Sequence, residues 1–168
     1  MKKKGYIDPN VYKLIDEDLF MIKTRVFNTT NKPSVEEKEG LVDFLYSNLQ
    51  EYGDPKSDIE KAINYALKET TSFGGYLVVS YNENEITGVV VVNQTGMKDY
   101  IPENILVYIA THKDYRGKGI GKALMQKTID LANGSIALHV EPENPARFLY
   151  EKFGFSSKYI EMRYKKEI

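Results

Sequence analysis

The chain has 168 residues with 23 Lys and Arg against 24 Asp and Glu, so its formal net charge is −1 and it lacks the basic excess typical of nucleic-acid binders. Cysteine is absent and only two histidines occur, which excludes disulfides, thiolate zinc sites and a cysteine nucleophile, and leaves little material for a metal centre. No apolar run reaches the roughly 18 residues of a membrane span, and none follows the basic start as in a signal peptide. We therefore expect a single cytoplasmic domain over residues 1–168.

The first predicted elements are a strand and two helices. The strand covers residues 20–27, after a polar opening. Each helix begins with a Ser-x-x-Glu capping-box pattern, one at Ser34 and the other at Ser57. Apolar residues then recur at helical spacing, at Leu41, Phe44, Leu45 and Leu49 and again at Ile59, Ala62, Ile63, Ala66 and Leu67. Each helix should therefore cover one face of a sheet.

A β-hairpin and a central strand are predicted next. Residues 76–81 and 86–92 are strand-like and are joined by four polar residues, as in a hairpin. A loop over residues 93–104 follows. Residues 105–110 are then continuously apolar, a pattern typical of a central strand buried on both faces.

The last elements complete a mixed α/β arrangement. A glycine-rich segment opens a helix to about Ala132, and a strand at 136–140 and a short helix from Pro145 to Phe153, stopped by Gly154, come next. The tail from Phe155 to Lys165 predicts one or two closing strands. The order β-α-α-β-β-β-α-β-α-β-β predicts an α/β (mixed α+β) fold. Its sheet would be mixed, mostly antiparallel and twisted, with six to seven strands and helices on both faces.

The glycine-rich segment is the most informative part of the sequence. Gly117, Gly119 and Gly121 lie between the central strand and a helix start. Glycine allows close approach of a ligand and positive φ, and the N–H groups of a helix N-terminus bind anions. Nearby cations are disfavoured by the helix dipole by roughly 0.3–1 kcal/mol each, yet four occur, at Lys113, Arg116, Lys118 and Lys122. A bound polyanion resolves this conflict; a solvated glycine turn with incidental lysines is the alternative.

Two common phosphate-binding patterns fit this segment poorly. A Walker A loop requires glycine where Arg116 lies, and a hydroxyl residue where Ala123 lies. In a dinucleotide fingerprint the third glycine would come one residue after Gly121. Glu141, at a strand end about 20 residues on, could serve a ribose, so the dinucleotide alternative is weakened rather than removed.

The segment Arg116-x-x-Gly119-x-Gly121 resembles the Arg/Gln-x-x-Gly-x-Gly/Ala signature of the GNAT superfamily of N-acetyltransferases. The resemblance covers about residues 75–155, and its end, from Asn144 to Phe155, is similar to the family's second diagnostic segment. It implies a GNAT-like fold and an enzyme that moves the acetyl group of acetyl-CoA to a primary amine by direct attack, without a metal. A non-catalytic acyl-CoA-binding or sensing domain and a nucleotide-binding protein are the alternatives.

The resemblance also implies the residues that bind coenzyme A. The backbone N–H groups that end the central strand would hold the acetyl carbonyl and the pantetheine arm, and the strand at 136–140 would splay away to leave room for that arm. Asn144 would contact the cofactor, cap the last helix ahead of Pro145, or do both. The strand residues are Ile109, Ala110 and Thr111, and the pyrophosphate would lie on Arg116, Gly117, Lys118, Gly119, Ile120, Gly121 and Lys122.

Tyr150 is the candidate general acid, because similar enzymes use a tyrosine at this place to protonate the departing thiolate. With an ordinary pKa of about 10, a tyrosine holds its proton at neutral pH. The alternative is a packing role, since Tyr150 shares a helical face with Ala146, Leu149 and Phe153.

The general base and the acceptor stay open. Some protein-acetylating relatives carry a glutamate early in the central strand, where this chain has Ile105. The substitutes are Glu103, Glu141, His112 and His139, or a relay through water. The acceptor would be a small-molecule amine or a protein amino group, bound between the first two helices, the 93–104 loop and the C-terminal strands. No nucleic-acid or membrane partner is expected, and the protein would be a monomer or a homodimer.

Overall fold

A computed structural model describes residues 11–13 and 21–168 of the chain. Its strands form one six-stranded sheet in chain order: β1 (Val11–Lys13), β2 (Met21–Asn28), β3 (Gly75–Asn82), β4 (Glu85–Gln94), β5 (Asn104–Thr111) and β6 (Ile136–Leu138). The α-helices are α1 (Val35–Leu49), α2 (Lys56–Ala66), α3 (Ile120–Leu131) and α4 (Ala146–Lys152), with 3₁₀ turns at Gln50–Tyr52 and Lys113–Tyr115. None of the helices described combines the length and apolarity needed to cross a bilayer.

The predicted mixed, mostly antiparallel sheet with helices on both faces is confirmed. The pairs from β1 to β5 are antiparallel, and β5 and β6 are parallel. One apolar layer, here called the first layer, packs α1 and α2 on one face and includes Phe27, Leu45 and Ile63. The second layer packs α3 and α4 on the other face and includes Leu124 and Tyr150.

The two predicted helix starts had different outcomes. At α1 the capping box is present, since the Ser34 hydroxyl accepts from the Glu37 amide and the Glu37 carboxylate accepts from the Ser34 amide. At α2 the prediction was wrong, because Ser57 already lies inside the helix and gives no cap. The first turn instead closes on the carbonyl of Pro55, which accepts from the amides of Asp58 and Ile59.

The predicted hairpin is confirmed by β3 and β4, which pair through to Asn82 and Glu85 around a tight turn. In β4, Gly88 lets α3 approach the sheet. A Cβ at Gly88 would lie 2.5 Å from Leu124 Cδ1 and 2.9 Å from Ser80 Oγ. This close packing holds the start of α3 beside the end of β5, because Gly88 pairs with Thr111.

A β-bulge in β5 changes which face its side chains meet. Val91 pairs with Tyr108 while Val92 pairs with Leu106, so Val107 is an extra residue in β5. Leu106 packs in the second layer, whereas Val107 and Tyr108 both pack in the first. Side chains of β5 thus pack in both apolar layers, as predicted for a strand buried on both faces, and every residue of the strand is buried or half-buried.

Strand β6 is shorter than predicted and splays away from β5. Only Asn104, Ile105 and Leu106 pair with it, through Ile136, Ala137 and Leu138. Past this point the edge of β5 towards β6 is open, as the resemblance implied for a pantetheine cleft. The pairing of β5 with β6 thus ends next to the bulge at Val107.

The ends of the chain differ most from the sequence prediction. Strand β1 was not predicted, and Phe20, placed in the first predicted strand, lies outside the described residues. The closing strands expected between Phe155 and Lys165 are absent from this described segment. Ile160, Met162 and Tyr164 alternate as in a strand but are 90%, 88% and 92% exposed, because no sheet edge pairs with them. The sheet has six strands because β1 is gained and the tail forms none.

Candidate active site

The glycine-rich loop joins β5 to α3 through the 3₁₀ turn. Gly117 and Gly119 have φ of +74° and +84°, in the region that side-chain-bearing residues rarely adopt. Gly119 directly precedes α3. Gly121 needs no positive φ, and a Cβ there would make ordinary contact, 3.4 Å from Leu149 Cδ2. This difference agrees with a pattern that requires glycine at 119 and accepts alanine at 121.

The first turn of α3 presents unused hydrogen-bond donors. Ala123 is the first residue whose amide bonds back into the helix, donating to the Gly119 carbonyl at 3.0 Å. Within the part of the chain that the structure describes, the amides of Ile120, Gly121 and Lys122 have no acceptor, as at any helix N-terminus. They can donate to an anion placed at this end of α3.

The side chains around this turn are cationic. The first turn of α3 contains no acidic residue, although carboxylates are favoured at that position. Lys118 and Lys122 are exposed, and Lys118 Nζ lies 5.5 Å from the centre of the Tyr115 ring. The amide donors, the helix dipole and the lysines together suit the pyrophosphate of coenzyme A. The open edge of β5 suits its pantetheine arm.

The predicted phosphate contact at Arg116 has a different partner in the structure. Its Nη2 donates to the Asn48 carbonyl at 3.0 Å, near the end of α1, and its Nε approaches the Thr111 carbonyl at 3.4 Å. The Asn48 side chain in turn accepts from the Lys113 amide at 3.2 Å. Arg116 therefore joins α1, the end of β5 and the glycine loop.

The strand that would hold the acetyl group has two outward-facing amides. The His112 amide donates to the Thr87 carbonyl in the direction of β4. Amides of successive strand residues point to opposite sides, so those of Ile109 and Thr111 face the open edge. The amide of Ala110 faces β4, where Ala110 pairs with Val89. Of the three predicted strand residues, Ile109 and Thr111 are thus the ones positioned to donate to a ligand.

Three of the predicted elements meet at the first turn of α3. A Cβ on Gly121 would lie 3.4 Å from Leu149 Cδ2 and 3.7 Å from Thr111 Oγ1. The end of β5, the glycine loop and helix α4 are therefore neighbours. Tyr150 follows Leu149 in α4, which brings the candidate acid to the same side of the sheet as the loop.

Tyr150 is a buried core residue with an unusually weak acid group. It is 7% exposed, it packs in the second layer, and its ring centre lies 6.0 Å from that of Phe155. Burial raises the pKa of Tyr150 to about 12. Tyr150 therefore does pack in the core, as the alternative interpretation predicts. Its hydroxyl also keeps its proton at neutral pH, as a general acid requires.

Asn144 caps helix α4. Its side-chain oxygen accepts from the Ala146 amide at 2.9 Å, and its carbonyl accepts from the Arg147 amide at 3.1 Å. Pro145 already has helical φ and ψ of −63° and −18°. The helix ends as predicted, since Gly154 has a φ of +88°.

Of the candidate bases, Glu103 and His112 accept hydrogen bonds from the backbone, whereas His139 and Glu141 are exposed. The Glu103 carboxylate accepts from the Ser135 amide at 2.8 Å, and such backbone donors lower its pKa. His112 Nδ1 accepts from the Asp114 amide at 3.2 Å. His139 is exposed, with Nδ1 3.3 Å from Arg163 in the tail. Glu141 is also exposed.

The sequence analysis missed a contact between β5 and the loop before α2. The Tyr108 hydroxyl donates to Asp54 Oδ2 at 2.6 Å. Desolvation and the Asp54 charge raise the pKa of Tyr108 above its usual value. Close by in the chain, the Tyr52 hydroxyl donates to the Glu143 carbonyl at 3.5 Å, so the 3₁₀ turn reaches the loop before α4. No local pattern signals either contact, because 54 and 91 residues separate the partners.

The comparison with protein families identifies the chain. Residues 73–157 match the family described as acetyltransferase (GNAT) domain, and this match spans just over half of the 168 residues. The chain therefore belongs to the GNAT acetyltransferase family. Enzymes of this family use acetyl-CoA as co-substrate. No curated protein matches the sequence.

Solved structures share the fold at low sequence identity. The aminoglycoside N-acetyltransferase AAC(6')-Iy, solved in complex with CoA, is 15% identical with a TM-score of 0.65, and the match covers 92% of this chain and 100% of that one. PH1933 from Pyrococcus horikoshii OT3 is 23% identical, with a TM-score of 0.63 and coverage of 83% and 93%. A ribosomal-protein-alanine N-acetyltransferase from Brucella melitensis biovar Abortus 2308 is 18% identical, with a TM-score of 0.58 and coverage of 86% and 99%. At these identities the likeness shows the fold alone.

Proposed function

We propose that this protein transfers the acetyl group of acetyl-CoA to a primary amine by direct attack, with Tyr150 as general acid. The observation that carries the proposal is the meeting of three elements at Gly121, which adjoins both Thr111 and Leu149. Three elements thus meet near Gly121. They are the start of α3 with its free amide donors, the open edge of β5, and helix α4, which contains the protonated Tyr150. Binding of the pyrophosphate there would lay the rest of the co-substrate along β5.

Each element has a separate task in binding. The amides of Ile120, Gly121 and Lys122 would donate to the pyrophosphate, and Lys118 would add positive charge. When bound, acetyl-CoA supplies an activated acetyl thioester. The Ile109 amide would donate to the carbonyl oxygen, where negative charge develops during attack and a fixed donor stabilises that charge. The Thr111 amide, two residues nearer the loop, would donate to the pantetheine arm.

The proton transfers follow from the bonds that change. As the amine nitrogen bonds to the carbonyl carbon and the carbon–sulfur bond breaks, the Tyr150 hydroxyl would give its proton to the departing sulfur. The surplus amine proton passes to water, and Tyr150 regains a proton from solvent. A tyrosine with a pKa of about 12 is a weak donor, but a hydrogen bond from it already stabilises a developing thiolate in a dry site.

The acceptor class is the least determined part of the proposal. Two of the similar structures are named for acetylation of an aminoglycoside and of a ribosomal protein's alanine. These names support amines in general, as a small molecule or as a protein amino group. The test therefore includes both small-molecule amines and a peptide amino group as acceptors.

The test measures thiol release from acetyl-CoA by the full chain with aliphatic diamines, an aminoglycoside and a peptide with N-terminal alanine. We expect amine-dependent release, together with thermal stabilisation by acetyl-CoA of about 2.7 kcal/mol at 100 times Kd. Stabilisation without release for any acceptor would favour the non-catalytic acyl-CoA-binding alternative. Stabilisation by ATP or NAD in place of acetyl-CoA would contradict the coenzyme A site itself.

A further inference from the structure

The contact between Tyr108 and Asp54 is short and half buried. Tyr108 is 7% exposed and donates its hydroxyl proton to Asp54 Oδ2 at 2.6 Å, whereas Asp54 is exposed to solvent. A hydrogen bond from a neutral donor to a carboxylate is stronger than one between neutral groups. One carboxylate oxygen is thus fixed from inside the protein, and the other remains available to a ligand.

The bulge in β5 explains why Tyr108 can make this contact. Because Val107 is an extra residue, the side chain of Tyr108 lies in the first layer, towards α1 and α2. The next residue, Ile109, packs in the second layer and turns its amide to the open edge of β5. Adjacent Cα atoms are about 3.8 Å apart, so Asp54 is joined by one side chain to the strand segment that would hold the acetyl group.

The charge of Asp54 is not neutralised by any of the residues that the structure describes. Across residues 11–13 and 21–168, no Lys, Arg or His nitrogen forms a salt bridge with it. The nearest cation in the sequence, Lys56, binds Asp43 at 2.7 Å and lies over the Tyr46 ring at 5.3 Å. A carboxylate held in place without a counter-ion favours a cationic ligand.

An open groove of about 890 Å³ leads to this carboxylate. It lies between the end of α1 and the start of α2 and is lined by Tyr46, Ser47, Gln50, Gly53, Asp54, Pro55 and Lys56. Its volume is within the range of roughly 300–1,000 Å³ found for small-molecule sites. The groove is on the first-layer side of the sheet, whereas the glycine loop opens α3 on the second-layer side.

We propose that Asp54 binds an ammonium group of the acceptor, and that Tyr108 is the positioning residue that holds its carboxylate. The inference rests on the proposed acetyl transfer and names the acceptor class, which is an aliphatic amine that carries positive charge at neutral pH. The nitrogen that attacks must first give its ammonium proton to water. The acceptor would occupy the groove beside Asp54, on the opposite face of the sheet from the cationic loop. The anionic co-substrate would thereby bind at the cationic loop, and the cationic acceptor would bind at the carboxylate of Asp54.

The experiment compares Asp54→Asn with the matched control Asp58→Asn in the full chain. Asp58 is a carboxylate four positions on that is already neutralised by Lys61 at 2.9 Å. Initial rates of thiol release are measured with 1,6-diaminohexane, with an aminoglycoside and with O-methylhydroxylamine, a nucleophile that is uncharged at neutral pH. Each rate is measured at low and at high ionic strength.

Loss of the Asp54 charge should raise KM for the two cationic acceptors about tenfold or more, while kcat and the KM for acetyl-CoA stay within about twofold. The rate with O-methylhydroxylamine and all parameters of Asp58→Asn should stay near wild type. Added salt should raise KM for diaminohexane in the wild type but hardly in Asp54→Asn, because the attraction it screens is gone. Tyr108→Phe should raise that KM about threefold, as expected for one lost hydrogen bond, and keep the salt dependence.

Equal amine KM values in the wild type and Asp54→Asn would overturn this inference and leave the acetyl-transfer proposal standing. If no acceptor releases thiol, thermal shifts with diaminohexane and the aminoglycoside test the ammonium site instead of the kinetic measurements. Stabilisation of the wild type that Asp54→Asn loses would keep the ammonium site although the transferase proposal fails. No stabilisation by either cation would overturn the ammonium site as well.

Discussion

The glycine loop before α3 and the Asp54–Tyr108 pair are built from very different stretches of chain. The loop is continuous, and its donors, cations and left-handed glycines all lie between Lys113 and Lys122. The pair joins residues 54 positions apart, and their contact requires both the bulge in β5 and the 3₁₀ turn after α1. The proposed co-substrate site is therefore encoded locally in the sequence, whereas the proposed acceptor site exists only in the assembled fold.

The same two regions differ in charge. Lysines at positive helix ends cost stability unless an anion is bound, and an unneutralised carboxylate beside a groove favours a cation. If the two regions act separately, substitutions in one should leave binding at the other unchanged. The substitutions below test that separation, beginning with Tyr150, the candidate general acid.

Tyr150→Phe should have the largest effect, a loss of about 10²–10⁴-fold in kcat with little change in acetyl-CoA affinity. The ring and its packing on Phe155 remain, and only the proton and its hydrogen bonds are lost. Tyr76→Phe is the control, since Tyr76 is also buried in the second layer but donates to the Thr128 carbonyl. Single-turnover rates are needed, because slow product release would hide the loss. A near-normal chemical step in Tyr150→Phe would leave Tyr150 as a core residue.

Gly119→Val should weaken acetyl-CoA binding about tenfold or more, equivalent to about 1.4 kcal/mol. The valine forces an unfavourable φ and places its side chain where the pyrophosphate would approach. Gly154→Val is the control, because Gly154 has a similar φ of +88° and nothing within 4 Å of an added Cβ. Both variants should lose about 1–2 kcal/mol of stability, measured by denaturant unfolding. Normal acetyl-CoA binding by folded Gly119→Val, in titration calorimetry, would refute the phosphate-cradle interpretation.

Arg116→Ala should lower the free energy of unfolding by about 1 kcal/mol, through loss of its hydrogen bond to the Asn48 carbonyl. Lys118→Ala should instead weaken acetyl-CoA binding a few-fold and leave the free energy of unfolding almost unchanged. Urea unfolding without ligand and calorimetric titration of both variants separate the two effects. A loss of affinity with unchanged stability in Arg116→Ala would support the phosphate role predicted from the sequence.

Glu103→Gln should have the smallest effect. Because backbone donors lower the pKa of Glu103 in the folded state, its stabilising contribution is present above the unfolded pKa and disappears as pH falls through the lowered folded pKa. The variant should thus be less stable than wild type at neutral pH and equally stable at strongly acidic pH, in thermal unfolding at several pH values. Its kcat should stay within about twofold, in contrast to the loss expected for a general base. A large fall in kcat would make Glu103 a candidate base again.

The sequence analysis was most accurate where the determining contacts are short in sequence. The capping box at Ser34, the hairpin between β3 and β4 and the stop at Gly154 depend on residues a few positions apart. At Ser57 the same capping rule failed, because Pro55 offers a carbonyl that closes the first turn earlier. A capping pattern therefore indicates a possible helix start, and the residues next to it decide where the helix begins.

Residue roles were harder to predict than elements. The phosphate contact of Arg116 stays a prediction, and in the structure its guanidinium donates to the Asn48 carbonyl, 68 positions away. The amide of Ala110 was grouped with those of its neighbours, yet strand alternation turns it towards β4. Both differences arise from partners on other elements, which a linear pattern does not include.

By itself, the sequence determined the family, the glycine-rich loop before α3 and the order of most helices and strands, since glycine conformation, helix caps and apolar periodicity act over a few residues. Only the tertiary structure decided that a bulge turns Tyr108 towards α1 and α2, that β6 leaves β5 after Leu106, and that Asp54 has no counter-ion among the described residues. These features depend on which strands pair and in what register. Such pairing is a property of the whole sheet, because each contact joins residues that only the complete fold brings together.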